Sequence, residues 1–538
     1  MHRTFALLAL TGLSLATAGA ETTGAEKPNI LFIAIDDLKP LLGSYGTPWI
    51  KSPAMDRLAD RGTVFLANYC QVPLCAPTRA SLLTGLRPDS TRIYFNPFKT
   101  KNVLRVRLPD VVTLPQHFKE NGYATVAMSK VFDGRTVDEG HDSRSWSLPY
   151  IRRVDVAPGG LGFRSWWQDP ETKRRLTEFA KLNPGQQAMG PPTEGCDVPD
   201  NAYLDGAVGL TAARTIRELA AQRAPFFIAV GFTKPHLPFI APKKYWDLYD
   251  RNSFPLAAFQ QWPAGSPEIA TRMGSGEVRS YEVMPQSGPF SDELQRQLLH
   301  GYAACVSYID AQVDLLLRTV EQAGVADNTI ICLWGDHGWH LGEHGHWGKS
   351  TDYEDATRAP LIIYAPGVGK GVRTTSLTEF LDVYPTLCEL AGLPLPAHLQ
   401  GKSLVPLMLH PSARLHEAVI SQCSTVDTKM GKQLASGLLD EDGGRGGIDS
   451  AMGWALRSPR YRYVEWRKTI LNGNERTFGA KVLAVELYDY EKDPLERENL
   501  AGKPEYAGVL ASQQALFDRL LPDLPKRASG QNESPAHE

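Results

Sequence analysis

Five short runs of apolar residues punctuate the chain, and each stops at polar or turn-forming residues. They span 29–35, followed by Asp36-Asp37; 123–128, followed by Ser129-Lys130; 225–230, followed shortly by Lys234-Pro235-His236; 329–334, followed by Gly335-Asp336-His337; and 360–365, followed by Pro366-Gly367. Uninterrupted apolar runs bounded by turn residues suit strands covered on both faces. Between them, Leu294, Leu298, Tyr302, Val306, Ile309, Val313, Leu316 and Val320 recur at three- and four-residue steps and predict a long helix within 291–324. A shorter helical pattern over 114–122 ends at Gly122. Strands alternating with helices predict an α/β fold with a large, mostly parallel or mixed sheet flanked by helices. Function in such folds gathers at the carboxyl ends of the strands, where these polar residues fall.

The texture changes after about residue 410. Gly443-Gly-Arg-Gly-Gly447 reads as a flexible loop, 454–466 alternates like two strands joined at Ser458-Pro459, and 486–490 reads as another short strand. These predict a smaller C-terminal subdomain, 411–525, built on an antiparallel sheet and following a catalytic domain at 21–410. A polar tail, 526–538, is expected to be disordered. At the other end, residues 1–20 combine a basic start, an apolar stretch too short to span a bilayer and Ala18-Gly-Ala20. That is the pattern of a secretory signal cut after Ala20. The expected location is therefore outside the cytoplasm, periplasmic or secreted, with no membrane anchor.

A net charge of −3 argues against a nucleic-acid partner. Export would permit disulfides. The seven cysteines are scattered, however, and none forms a Cys-x-x-Cys pair. Cys332 and Cys388 lie in apolar patterns and read as small core residues. The carboxylate pair Asp36-Asp37 and the pair Asp336-His337 each follow a strand directly. Either could cap a turn, but carboxylates held together at strand ends usually share a cation. Three carboxylates and one imidazole suit Ca²⁺, or alternatively Mg²⁺, better than tetrahedral zinc.

Cys75 sits in a polar loop, where a disulfide with Cys70, a structural thiol and a nucleophile are all open. Cys75-Ala-Pro-Thr-Arg-Ala-Ser-Leu-Leu-Thr-Gly85 resembles the signature of type I sulfatases, Cys-x-Pro-x-Arg followed by Leu-Thr-Gly. Residues 29–37, 234–239, 335–345, 352–361 and 452–463 are similar to the iduronate-2-sulfatase branch of that family, so the resemblance spans about 27–502. It implies an alkaline-phosphatase-like fold. It also implies oxidation of Cys75 to the aldehyde formylglycine by a formylglycine-generating enzyme, and a sulfated carbohydrate as substrate. A hydrated aldehyde offers one hydroxyl to attack sulfur, and a second whose deprotonation reforms the carbonyl and expels sulfate, which splits the reaction into two easier steps.

By the same resemblance, Asp36, Asp37, Asp336, His337 and the modified residue 75 bind the cation. Arg79 orients residue 75, while Lys130, Lys349 and His236 surround the sulfate, with His236 as general acid for the leaving sugar oxygen. His344 is expected to be a structural group near the site, and His340 and His346 to lie on the loop surface. The chain departs from the branch at Asp133, where histidine normally follows Lys-Val-Phe and aids the elimination step. Asp133 could take that proton, or His141 could. Leu86 replaces a usual arginine, and Thr78 the commonest serine. The implied activity is hydrolysis of a sulfate ester on a carbohydrate, most specifically a uronic acid 2-sulfate of a glycosaminoglycan or other sulfated polysaccharide. The alternatives are a phosphomonoester or phosphonate hydrolase on the same scaffold, or an inactive glycan-binding relative.

Overall fold

The computed structural model describes residues 27–96, 102–156, 166–184, 189–271, 275–425, 451–472 and 475–527. The expected leader, the glycine loop at 443–447 and the tail from 528 lie outside the described residues. Lys526 and Arg527, expected to belong to that tail, are described, and Arg527 pairs with Glu465 and Asp518.

Seven strands form the main sheet, in the order Val372–Thr374, Thr63–Phe65, Leu361–Tyr364, Thr329–Gly335, Asn29–Ile35, Phe226–Phe232, Ala124–Ser129. The four long strands run parallel. All seven residues of each of the three central ones are buried, which is why their sequences are apolar without alternation. Leu361–Tyr364 runs antiparallel to both neighbours. The chain leaves the top of Thr329–Gly335, crosses the site as a long loop, and re-enters the sheet from that same end, so it must run downward.

The long helix is Asp292–Gln322, and the side chain of Ser291 caps it by accepting the Leu294 amide at 3.3 Å. Every member of the predicted apolar stripe except the half-buried Leu294 is buried. Its Tyr302 hydroxyl donates to the Asp37 carbonyl at 2.9 Å and accepts the Lys39 amide at 2.7 Å. The helix thus grips the chain where the first strand ends. Cys332 and Cys388 are core residues, as expected.

The C-terminal sheet is an antiparallel meander of Val419–Thr425, Ala451–Arg457, Tyr461–Asn472 and Glu475–Asp489. Helix Ala507–Leu520 covers it, with Phe517 edge-on to Tyr463. The stretch expected as a short strand at 486–490 is the end of a 15-residue strand. Its earlier part lacks clean alternation, and a register irregularity at Trp466–Thr469 of its partner further obscures the period.

Arg462 ties this sheet to the main domain. Its buried guanidinium donates to Glu354 at 2.6 Å, to Thr357 Oγ1 at 3.2 Å and to the Asp352 carbonyl, and pairs with Glu496 at 2.9 Å. Burial opposes ionisation of Glu354, but Arg457, Arg462 and Arg358 overcome it and hold the carboxyl at about 2. Glu354 therefore adds stability above its ordinary value of 4.5, and that contribution disappears as pH falls toward 2. Arg462→Ala leaves the buried Glu496 without its cation and Glu354 with Arg457 alone at salt-bridge distance, and should cost about 3–5 kcal/mol in denaturant unfolding. It should also flatten the loss of stability between those pH values.

Candidate active site

Four parallel strands deliver their polar termini to one place. Asp36 and Asp37 follow Asn29–Ile35, Asp336 and His337 follow Thr329–Gly335, Lys130 follows Ala124–Ser129, and Thr233 and His236 follow Phe226–Phe232. Gly231 allows two of these ends to approach, because a Cβ there would lie 2.1 Å from the Lys130 carbonyl carbon.

Cys75 is the first residue of helix Cys75–Thr84, all of which is buried. Arg79 lies one turn on, so the two share a helix face. Its fully buried guanidinium donates to Asp336 at 3.0 Å, to Asp36 at 3.2 Å, to the Val131 carbonyl at 3.1 Å and to the Lys130 carbonyl. The Cys75 sulfur lies 3.5 Å from Lys349 Nζ, 3.5 Å from His337 Nε2 and 4.0 Å from Asp37 Oδ1. Lys349 also donates to Asp37 at 2.7 Å, and Lys130 to Asp36. The seven cysteines are all free, and the Cys70 sulfur faces the Ala356 carbonyl at 3.9 Å. The thiol of Cys75 is pushed well up by burial and then by Asp36, the reverse of what a cysteine nucleophile needs.

The remaining predicted site residues converge here too. His236 holds the Leu237 carbonyl with Nδ1 at 2.7 Å and turns Nε2 inward, 3.8 Å from Asp37. Burial, and next the Lys349 ammonium, push it down to about 3. His337 spends Nδ1 on the Gly338 carbonyl at 2.9 Å and likewise presents Nε2. Asp133 lies on the cleft wall with both oxygens held by Arg135, at 2.8 and 2.7 Å. Burial works against its ionisation, but the Arg135 hydrogen bonds and charge hold it well below the usual carboxylate range. His141 lines the same cleft, stacked on Tyr150 at 4.0 Å, and its buried Nδ1 has no partner among the described residues.

The expectation for two loop histidines needs correcting. His340 and His346 are 0% and 1% exposed, packed at 4.9 Å between ring centroids. His346 Nε2 meets the Lys349 carbonyl at 3.2 Å, and His340 Nε2 meets Thr351 at 2.8 Å. They brace the loop that carries Lys349, as His344 does through the Leu495 carbonyl at 3.0 Å.

Sequence reasoning missed Glu277, whose carboxylate lies 3.2 Å from His236 and 3.8 Å from Lys349. It also missed Arg135, Arg152, Arg153 and Trp166 on the cleft walls. All come from short helices and loops where no periodicity marks a functional position.

The donor set fits a hard dication. Asp36, Asp37 and Asp336 are buried carboxylates, and Asp37 Oδ2 is buried with no hydrogen-bond partner. Burial pushes Asp37 well above the usual range against the pull of Lys349, with Asp36, Glu277 and Asp336 adding to the shift. Oxygen donors joined by one free imidazole nitrogen suit Ca²⁺ or Mg²⁺. The cleft above them has a volume of about 880 Å³.

The family model "Sulfatase" matches residues 28–393. The chain is 30% identical to iduronate 2-sulfatase of Mus musculus, over 93% of this chain and 95% of that protein. It is 26% identical to Delta 4,5-hexuronate-2-O-sulfatase of Bacteroides thetaiotaomicron, over 94% and 91%. Among solved structures, phosphonate monoester hydrolase of Agrobacterium radiobacter superposes with a TM-score of 0.67 at 22% identity, covering 92% of this chain and 96% of that one. That likeness carries the alkaline-phosphatase-like fold alone. With the cysteine signature lodged among strand-end carboxylates, the chain belongs to the sulfatase family, the hydrolases of sulfuric esters.

Proposed function

We propose that this enzyme removes a sulfate ester from a carbohydrate, specifically the 2-sulfate of a uronic acid, using a formylglycine at position 75 and a divalent cation. The carrying observation is the position of Cys75 Sγ, within 4.0 Å of Lys349, His337 and Asp37 at the floor of the cleft. The uronate preference draws on the similarity to iduronate and hexuronate 2-sulfatases.

Asp36, Asp37, Asp336, His337 and residue 75 would hold the cation, Ca²⁺ or Mg²⁺. Such an ion lowers the pKa of an attacking hydroxyl and neutralises sulfate oxygens. The protein's own groups divide the remaining work. Arg79, Lys130 and Lys349 already balance the three buried carboxylates, so with a dication held there the nest would carry net positive charge toward an anion. Lys130 and Lys349, now on Asp36 and Asp37, are placed to turn to sulfate oxygens. Arg79 stays fixed and keeps residue 75 in register. His236 Nε2 faces the cleft as donor to the leaving oxygen; burial and Lys349 disfavour its protonated form, and the incoming sulfate charge favours it. With Asp133 locked on Arg135, His141 on the same cleft wall is the candidate acceptor for the proton released when sulfate is expelled. Maturation would require a formylglycine-generating enzyme. The apolar leader pattern at 1–20 supports export to the periplasm or medium. Among the described residues no helix is long and apolar enough to cross a membrane.

Three outcomes test the reading. A peptide map of active protein should show residue 75 lighter than cysteine by about 18 Da, the loss expected for thiol-to-aldehyde conversion, and Cys75→Ala should abolish turnover. A map with sulfur intact in active enzyme refutes the scheme. EDTA should remove activity and Ca²⁺ or Mg²⁺ restore it. His236→Ala should slow sugar-sulfate hydrolysis by about 10²–10⁴-fold, and 4-nitrophenyl sulfate much less, because nitrophenolate leaves without a proton.

A further inference from the structure

We infer that Arg153 recognises a second anionic group on the substrate sugar, the carboxylate of the uronic acid, and so sets the preference for acidic over neutral sugar sulfates. This rests on the uronate-sulfate reading above.

The cleft has two cationic regions. At its floor, Lys130 and Lys349 stand around Cys75. On its wall stand three arginines, 135, 152 and 153. Two of them are already neutralised. Arg135 is bidentate on Asp133, and Arg152 pairs with Asp155 through two bonds at 3.2 and 3.0 Å. Arg153 is different. Its guanidinium donates to the neutral Thr233 hydroxyl, and no carboxylate pairs with it among the described residues. Asp205, the acid behind Thr233, spends its oxygens on the Thr233 and Lys234 amides at 2.8 and 2.9 Å.

Arg153 is half-buried, so its charge is partly desolvated without a counter-ion. A guanidinium in that state favours a planar anion that accepts two parallel hydrogen bonds, which a carboxylate does. Its location matches the geometry of the substrate. Thr233 directly follows the strand Phe226–Phe232 and its carbonyl accepts the His236 amide at 2.9 Å, so Arg153 is tethered to the turn that carries His236. A 2-sulfated uronic acid carries its two charges on opposite sides of one ring. One would lie in the lysine nest and the other beside Arg153. Trp166 and Met189 add apolar wall to the same cleft.

The test compares wild type, Arg153→Ala and Arg153→Lys on three substrates. These are a disaccharide with a 2-O-sulfated uronic acid, the same disaccharide with its carboxyl reduced to the alcohol, and 4-nitrophenyl sulfate. Wild type should prefer the acid to the alcohol. Arg153→Ala should erase that preference, lowering kcat/KM for the acid relative to the alcohol by about 10–100-fold, mainly through KM. Arg153→Lys should recover part of it. Equal losses on all three substrates, or an unchanged acid-to-alcohol ratio in Arg153→Ala, would overturn the assignment while leaving the uronate reading intact. Wild type that cleaves 4-nitrophenyl sulfate but not the uronate substrate would remove the uronate reading, and this inference with it.

Discussion

One guanidinium organises the site. Asp36 and Asp336 end two hydrogen-bonded neighbouring strands, so their carboxylates are forced together where no water relieves the repulsion. Arg79 bridges them from below and also holds the carbonyls at the exit of a third strand. Because it lies one turn from Cys75, the group that neutralises the acids also fixes the height and rotation of the helix that presents residue 75. Buried ion pairs of this kind add little net stability, since desolvation offsets most of the attraction. Their value here is positional. Removing the cation would leave adjacent acids uncompensated, and the strand ends, the helix and Lys130 would lose their common reference.

Much of this could be read from the sequence because strand burial leaves a strong signal. An apolar run that stops at Asp36-Asp37 or at Asp336-His337 marks both the strand and the point where it emerges. The four-residue spacing of Cys75 and Arg79 needs only one helical turn to become a shared face. The signal failed where position depends on distant packing. Glu277 reaches His236 from a four-residue helix with no period to betray it. Arg153 opens another such helix. His340 and His346, polar and separated by glycines, look like surface residues, yet the loop folds their rings against each other and sets His340 against Tyr353. The direction of Leu361–Tyr364 depends on where the preceding loop returns to the sheet, which composition does not encode.

Asp133 alters the electrostatics of the cleft less than the sequence implies. An aspartate at the mouth of an anion-binding cleft would repel the substrate. Arg135, two residues on, takes both of its oxygens and makes the pair neutral toward the cleft. The cost is chemical. A carboxylate held this firmly in its ionised form is a weak proton acceptor, and its oxygens are occupied. The neighbouring ring of His141 has no hydrogen-bond partner at Nδ1 among the described residues, and burial pushes its pKa down to about 4, so it is neutral at ordinary pH.

The C-terminal sheet has a similar indirect part in the chemistry. Lys349 reaches Cys75 from a loop between Gly335 and Leu361 that is too long to hold its shape unaided. Its backbone is tied down by contacts that mostly lie beyond the main sheet. His344 meets the carbonyl of Leu495, Glu354 accepts Arg457 and Arg462, and the Glu354 amide donates to Glu496 at 3.1 Å. Inside the loop, His346 passes that anchoring to the Lys349 carbonyl. In the proposed reaction Lys349 stays within reach of residue 75 while it exchanges Asp37 for a sulfate oxygen. Side-chain freedom then has to come with a backbone that does not move. The C-terminal sheet, which supplies no group to the cleft among the described residues, provides that rigidity through Arg457 and Arg462, together with Leu495 and Glu496 shortly after its last strand.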